Sequence, residues 1–88
     1  MLYEKTLVLP DGTTDMDVAV AGITDAMRHT VTVTGAGEAT VQFRVGTNPE
    51  LLSLGTLSSE FQTLSADGVS EFVVSTSGGE IALTITGN

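Results

Sequence analysis

The sequence predicts an all-β fold, an antiparallel β-sandwich of about seven or eight short strands, jelly-roll or immunoglobulin-like. Three observations carry that expectation. Apolar and polar residues alternate with a period of two along most of the chain. Turn sequences rich in Gly, Pro, Asn and Asp recur at spacings of about 8–12 residues, and β-branched Thr and Val fill the runs between them.

The elements follow in order. "EKTLVL", residues 4–9, is a strand stopped by the turn Pro10-Asp11-Gly12. "TTDMDVAVAG" sets Met16, Val18 and Val20 on one side and Asp17 and Ala19 on the other. The segment "ITDAMRH" admits a helical turn, with Thr24 or Asp25 as its cap, and is too short to be a helix by itself. From there Val31 and Val33 face inward while Thr30, Thr32 and Thr34 face outward. Beyond Gly35 and Gly37 the inward row is Ala39, Val41, Phe43 and Val45. "GTNPE" turns the chain. "LLSLGTL" follows, with Gly55 predicting a bulge or a close backbone approach. "EFQTL", the turn "SADG", "SEFVVS", the turn "SGGE" and "IALTIT" complete the series, with Ile81, Leu83 and Ile85 as the last inward row. Threonine recurs on outward positions, where its hydroxyl meets water. No linker or internal repeat divides residues 1–88, so a single domain is expected, with residues 1–10 either its first strand or an N-terminal arm.

The 88 residues place the domain near the small end of what folds alone, where about 60–65% of the unfolded surface is buried. A core this thin favours association with further copies or a partner. The chain has no cysteine, which removes disulfides and thiolate chemistry. Three Lys and Arg stand against eleven Asp and Glu, for a net charge of −8. Lys5, Arg28 and Arg44 are too few and too scattered to displace counterions from a phosphate backbone, so neither nucleic acid nor an anionic membrane surface is an expected partner. No stretch approaches the roughly 20 apolar residues of a membrane span. "MLYEKTLVLPDG" does not read as a signal peptide, so a cytoplasmic origin or an export route without a signal sequence is expected.

Gly35 and Gly37, in "VTVTGAGEATVQFRV", raise the question of a phosphate loop. A dinucleotide fingerprint needs a third glycine and a helix; here Thr40 occupies that position and the following run alternates as a strand. The pair is therefore expected to form a tight hairpin turn. His29, the one histidine, lacks any nucleophile motif around it and is expected at the surface or in a turn. Asp11, Asp15 and Asp17 lack the spacing and terminal Glu of an EF-hand loop. Glu50, Glu60, Glu71 and Glu80 fall at expected strand starts or turns, where charge keeps sheet edges from pairing. With no Trp, one Tyr at position 3 and three phenylalanines read as internal, Phe43 by alternation, Phe72 beside Val74 and Phe61 with no pattern to fix it, the chain offers a poor sugar-stacking platform. No catalytic residue, metal or cofactor is expected. Leu2, Tyr3, Leu7 and Leu9 are the candidate partner-binding residues: an extended arm of this kind either completes its own sheet or adds to a neighbour's edge.

In "VTVTGAGEATVQFRVGTNPELLSLGTLSS" Thr/Val strands flank a Gly-containing turn and a "GTN" turn leads to a segment ending in "LGTL"; the closing "STSGGEIALTITGN" sets a Gly-rich turn before a terminal strand of alternating Ile, Leu and Thr. In these runs roughly residues 29–88 resemble small virion proteins of tailed bacteriophages. Pro49 and Glu50 stand where such proteins often carry an aromatic. The resemblance implies a non-enzymatic structural protein of the capsid decoration (cement) type. It would assemble in the host cytoplasm, lie on the outer surface of the virion, and bind the major capsid protein or another virion protein as a homo-oligomer. A tail or fibre module, or a carbohydrate-binding module, is the alternative.

Overall fold

A computed structural model describes residues 2–20 and 26–88. It contains eight strands: β1 (Tyr3–Leu9), β2 (Met16–Ala19), β3 (Arg28–Gly35), β4 (Glu38–Val45), β5 (Leu52–Leu57), β6 (Glu60–Ser65), β7 (Val69–Ser77) and β8 (Ile81–Gly87). They form two four-stranded antiparallel sheets, ordered β1-β8-β3-β6 and β2-β7-β4-β5. The molecule is 17 Å across its thinnest axis, which fits two layers packed about 10 Å apart with a rind of outward side chains. The pairs β1–β8, β2–β7, β3–β6 and β4–β5 are all antiparallel, as in one long hairpin whose tip is β4–β5 and whose two arms have rolled into a sandwich. This is the jelly-roll order, so the immunoglobulin-like alternative is set aside.

Alternation explains which residues fill the space between the sheets. Val31 and Val33 of β3, Ala39, Val41 and Phe43 of β4, Phe72 and Val74 of β7, and Ile81, Leu83 and Ile85 of β8 are buried as the period of two requires. Val45 is only partly buried, because it ends β4 beside an irregularity in the β4–β7 register. Met16 opens the short edge strand β2 and stays exposed, whereas Val18 and Val20 are enclosed. The β4–β5 ladder slips one residue beside Gly55, so the expected bulge is present. Residues 23–25 of the expected helical turn lie outside the described residues; of the rest, Ala26 and Met27 are not helical and Arg28 and His29 already belong to β3.

The glycine pair at 35 and 37 departs from expectation. The chain does reverse there, but β3 and β4 lie in different sheets, so the turn is a crossing and not a hairpin. The neighbouring β7-to-β8 crossing, through Gly78–Glu80, packs on it backbone to backbone. A Cβ on Gly35 would stand 2.7 Å from the Glu80 carbonyl oxygen, and one on Gly37 would fall on the carbonyl of Gly79. Glycine is required here by close approach more than by turn type. The alternating pattern on both flanks is the same for a hairpin and for a crossing, which is why the residues alone favoured the commoner of the two.

Candidate functional site

Two regions hold groups that recognition or chemistry needs: a buried polar pair near the start of β1, and the free edges of the sheets.

The buried pair is built on one register row. Tyr3 of β1, Gly87 of β8 and His29 of β3 lie side by side across three strands, all on the inner face. A Cβ on Gly87 would lie within the Tyr3 ring, so the absence of a side chain there lets the ring cross β8 and reach β3. Tyr3 Oη then sits 2.5 Å from Nδ1 of His29. The imidazole also meets the edge of Phe72, with ring centres 5.7 Å apart. His29 is 1% exposed, which corrects the surface placement expected for it. Nothing local marks it as buried; a glycine on the adjacent strand β8, far away in the sequence, creates its site. Burial pushes the His29 pKa below its ordinary value, and burial raises that of Tyr3 from 10.0 to about 12, so both are neutral at pH 7. Either tautomer leaves Nε2 without a partner among the described residues. The pair has no exposed face on which to meet a substrate.

The candidate partner-binding residues divide. Tyr3 and Leu9 are buried in the chain's own core, and Leu7 packs against it. Leu2 is exposed, as is Val8, which points outward. All seven residues of β1 pair with β8, so this segment is the first strand of its own sheet and what it offers outward is one backbone edge. Lys5 occupies an inward position on that edge and donates through Nζ to the Ala19 carbonyl of β2, across the two sheets. An inward-pointing charge on an edge strand discourages pairing with another chain.

The acidic residues are dispersed. Asp11 lies in the β1–β2 turn; the Asp15 N–H donates to Ser75 Oγ at 3.0 Å, and Asp17 is on β2. Among the described residues no group of three or more His, Cys, Asp or Glu is placed to hold a metal. Glu71, expected at a strand start or turn, sits within β7 and pairs with the Arg44 guanidinium of β4, the one ion pair among the described residues.

The opposite side of the sandwich, β5 and β6, is the less finished one. Of the residues in these two strands only Leu57 is buried. Phe61 is 65% exposed, which corrects the internal placement expected for it, and Leu52 is 42% exposed despite lying opposite inward Phe43. Phe61 pairs with Thr32, an outward residue, so strand parity turns the ring away from the core. The outer face of this sheet carries two rows of mostly threonine: Glu4, Thr86, Thr30 and Thr63, then Thr6, Thr84, Thr32 and Phe61.

No protein-family model matches the chain, and no curated protein matches it. Solved structures do share its fold. The SPBc2 prophage-derived protein YomS superposes with a TM-score of 0.57 at 12% identity, covering 97% of this chain and 94% of YomS. PliG from Aeromonas hydrophila, a periplasmic inhibitor of g-type lysozyme, gives a TM-score of 0.57 at 10% identity over 96% of this chain and 83% of its own. The IMPa metallopeptidase from Pseudomonas aeruginosa gives 0.56 at 14% identity; the chain spans 12% of that enzyme's length. At these identities the likeness is one of fold.

Proposed function

We propose that this protein is a non-enzymatic structural component of a phage particle, a capsid decoration protein that binds the outer surface of the shell and other copies of itself. The observation that carries the reading is the uneven finish of the sandwich: one side is closed by buried anchors, and the other, β5 and β6, presents backbone edge, Phe61 and Leu52 to solvent. A surface of that kind adheres. Many copies on a lattice turn a small interface into firm attachment, so an 88-residue chain suffices. The setting on a phage particle draws support from the bacteriophage-like sequence pattern of residues 29–88. It draws further support from the likeness to prophage-derived YomS, which spans nearly the whole of both chains. A net charge of −8 suits the outside of a shell, away from packaged nucleic acid.

The test uses particles made by cells that encode the chain, with heads and tails separated on a gradient. Mass spectrometry and immunogold labelling are expected to find the chain on the outside of heads, in copy numbers comparable with the shell subunit. Absence from particles, or presence in the tail fraction alone, overturns the assignment.

A further inference from the structure

We infer that β6 is the self-association edge of this protein: two copies pair β6 to β6, antiparallel about a two-fold axis through Thr63, and join their sheets into one of eight strands. This deepens the reading above by naming the surface through which copies meet.

The four edge strands differ in how they are guarded. β1 carries the inward Lys5, β2 has four residues, and β5 is broken by the slip at Gly55. Each is a recognised way of blunting an edge. By contrast β6 pairs with β3 in an unbroken register from Arg28–Ser65 to Val33–Glu60. It contains no Pro, Lys or Gly, and its outer edge has no partner among the described residues. Half of its N–H and C=O groups therefore point to solvent in a straight row. Charge selects the occupant. A chain of net charge −8 repels its own copies over most of its surface, but Phe61–Ser65 is free of charge.

The register follows from the side chains. For the two sheets to continue with their outer faces on the same side, outward residues must oppose outward residues. Placing Thr63 on the axis sets Phe61 against Ser65 of the second copy and leaves Glu60 just outside the pairing. The Thr30–Thr63 contact on the outer face, 3.5 Å between hydroxyls, then continues into the same pair of the other copy. Arg28 is exposed, is the direct neighbour of Ser65 on β3, and has no ion-pair partner among the described residues. Over the small Ser65 its guanidinium reaches the opposing Phe61 ring, a cation–π contact made twice by symmetry. A two-fold contact of this type closes on itself, and the guarded β1 edge at the far side stops the sheet from growing into a fibre.

The test is the mass of the purified full chain in free solution, which needs no particle and so stands apart from the test of the particle assignment. Light scattering or sedimentation at about 100 μM is expected to give twice the 9.1 kDa chain mass. Thr63→Lys lowers the net negative charge, which by itself would favour association. Placed on the axis it sets two like charges opposite each other and is expected to raise the dissociation constant about tenfold. Thr63→Cys, in a chain without other cysteine, is expected to form a disulfide-linked dimer under mild oxidation at least about ten times faster than Ser65→Cys, since only the first brings two thiols face to face. A monomer at this concentration overturns the proposal. So does a dimer that cross-links no faster through position 63 than through position 65, and so does a dimer whose affinity Thr63→Lys leaves unchanged while its circular dichroism remains that of the parent. If the dimer forms but the chain is missing from particles, the particle assignment alone falls.

Discussion

The two long sides of the sandwich are each made of two short strands and are finished oppositely. On the β1/β2 side, Tyr3, Leu9, Val18 and Val20 are buried, Lys5 ties one sheet to the other, and Thr76 fastens the connecting turn. The Thr76 hydroxyl donates to the Pro10 carbonyl at 2.7 Å and accepts from the Thr13 N–H at 3.0 Å. On the β5/β6 side Leu57 alone is buried, and Gly55 faces open space. What separates them is cross-sheet fastening, which among the described residues is concentrated on the β1/β2 side.

Filling the Tyr3–Gly87–His29 row should damage the fastened side most. Gly87→Val displaces the Tyr3 ring and is expected to cost about 3 kcal/mol or more. In a domain of this size that lowers the thermal midpoint by more than about 10 °C. A midpoint within a few degrees of the parent would show that the row does not hold β1 in place.

A matched truncation measures the asymmetry directly. Leu9→Ala removes a buried side chain and is expected to cost about 2–5 kcal/mol, whereas Leu52→Ala, half exposed at the open side, is expected to cost less than about 1 kcal/mol. Equal losses in urea unfolding would erase the distinction between the two sides.

Acid should act on the fastened side through His29. Its pKa in the folded chain lies below the ordinary 6.5 because burial penalises the charged ring. The unfolded chain therefore takes up a proton first, and stability present above about pH 6.5 is lost as the pH falls below it. Between pH 7.5 and 5.5 the thermal midpoint is expected to drop, and to drop less in His29→Leu. As this is the one histidine, an unchanged slope in that variant would remove it as the cause.

The smallest effect on folding belongs to the open side. Phe61→Ser is expected to leave unfolding free energy within about 0.5 kcal/mol of the parent while weakening association of copies. A large loss of stability would mean that the ring is part of the monomer's core.

The inward rows were legible. Val31 and Val33, or Ile81, Leu83 and Ile85, are assigned by neighbours two positions away, and that information is local. The bulge beside Gly55 was legible for the same reason. The candidate partner-binding residues were less so: Tyr3 and Leu9 carry the apolar character expected of an anchor, but the pocket each fills is in their own sheet.

By itself, then, the sequence determined the strands, their two faces and the acidic, threonine-rich exterior, since each depends on composition or on a spacing of two. Tertiary structure alone decided that Gly35–Gly37 crosses between sheets, that His29 is enclosed beneath a ring laid over Gly87, and that β6 ends its sheet with no strand beyond it among the described residues. Those outcomes depend on which strands become neighbours. That choice is made by contacts between residues far apart in the chain, and a repeat of two residues carries no record of it.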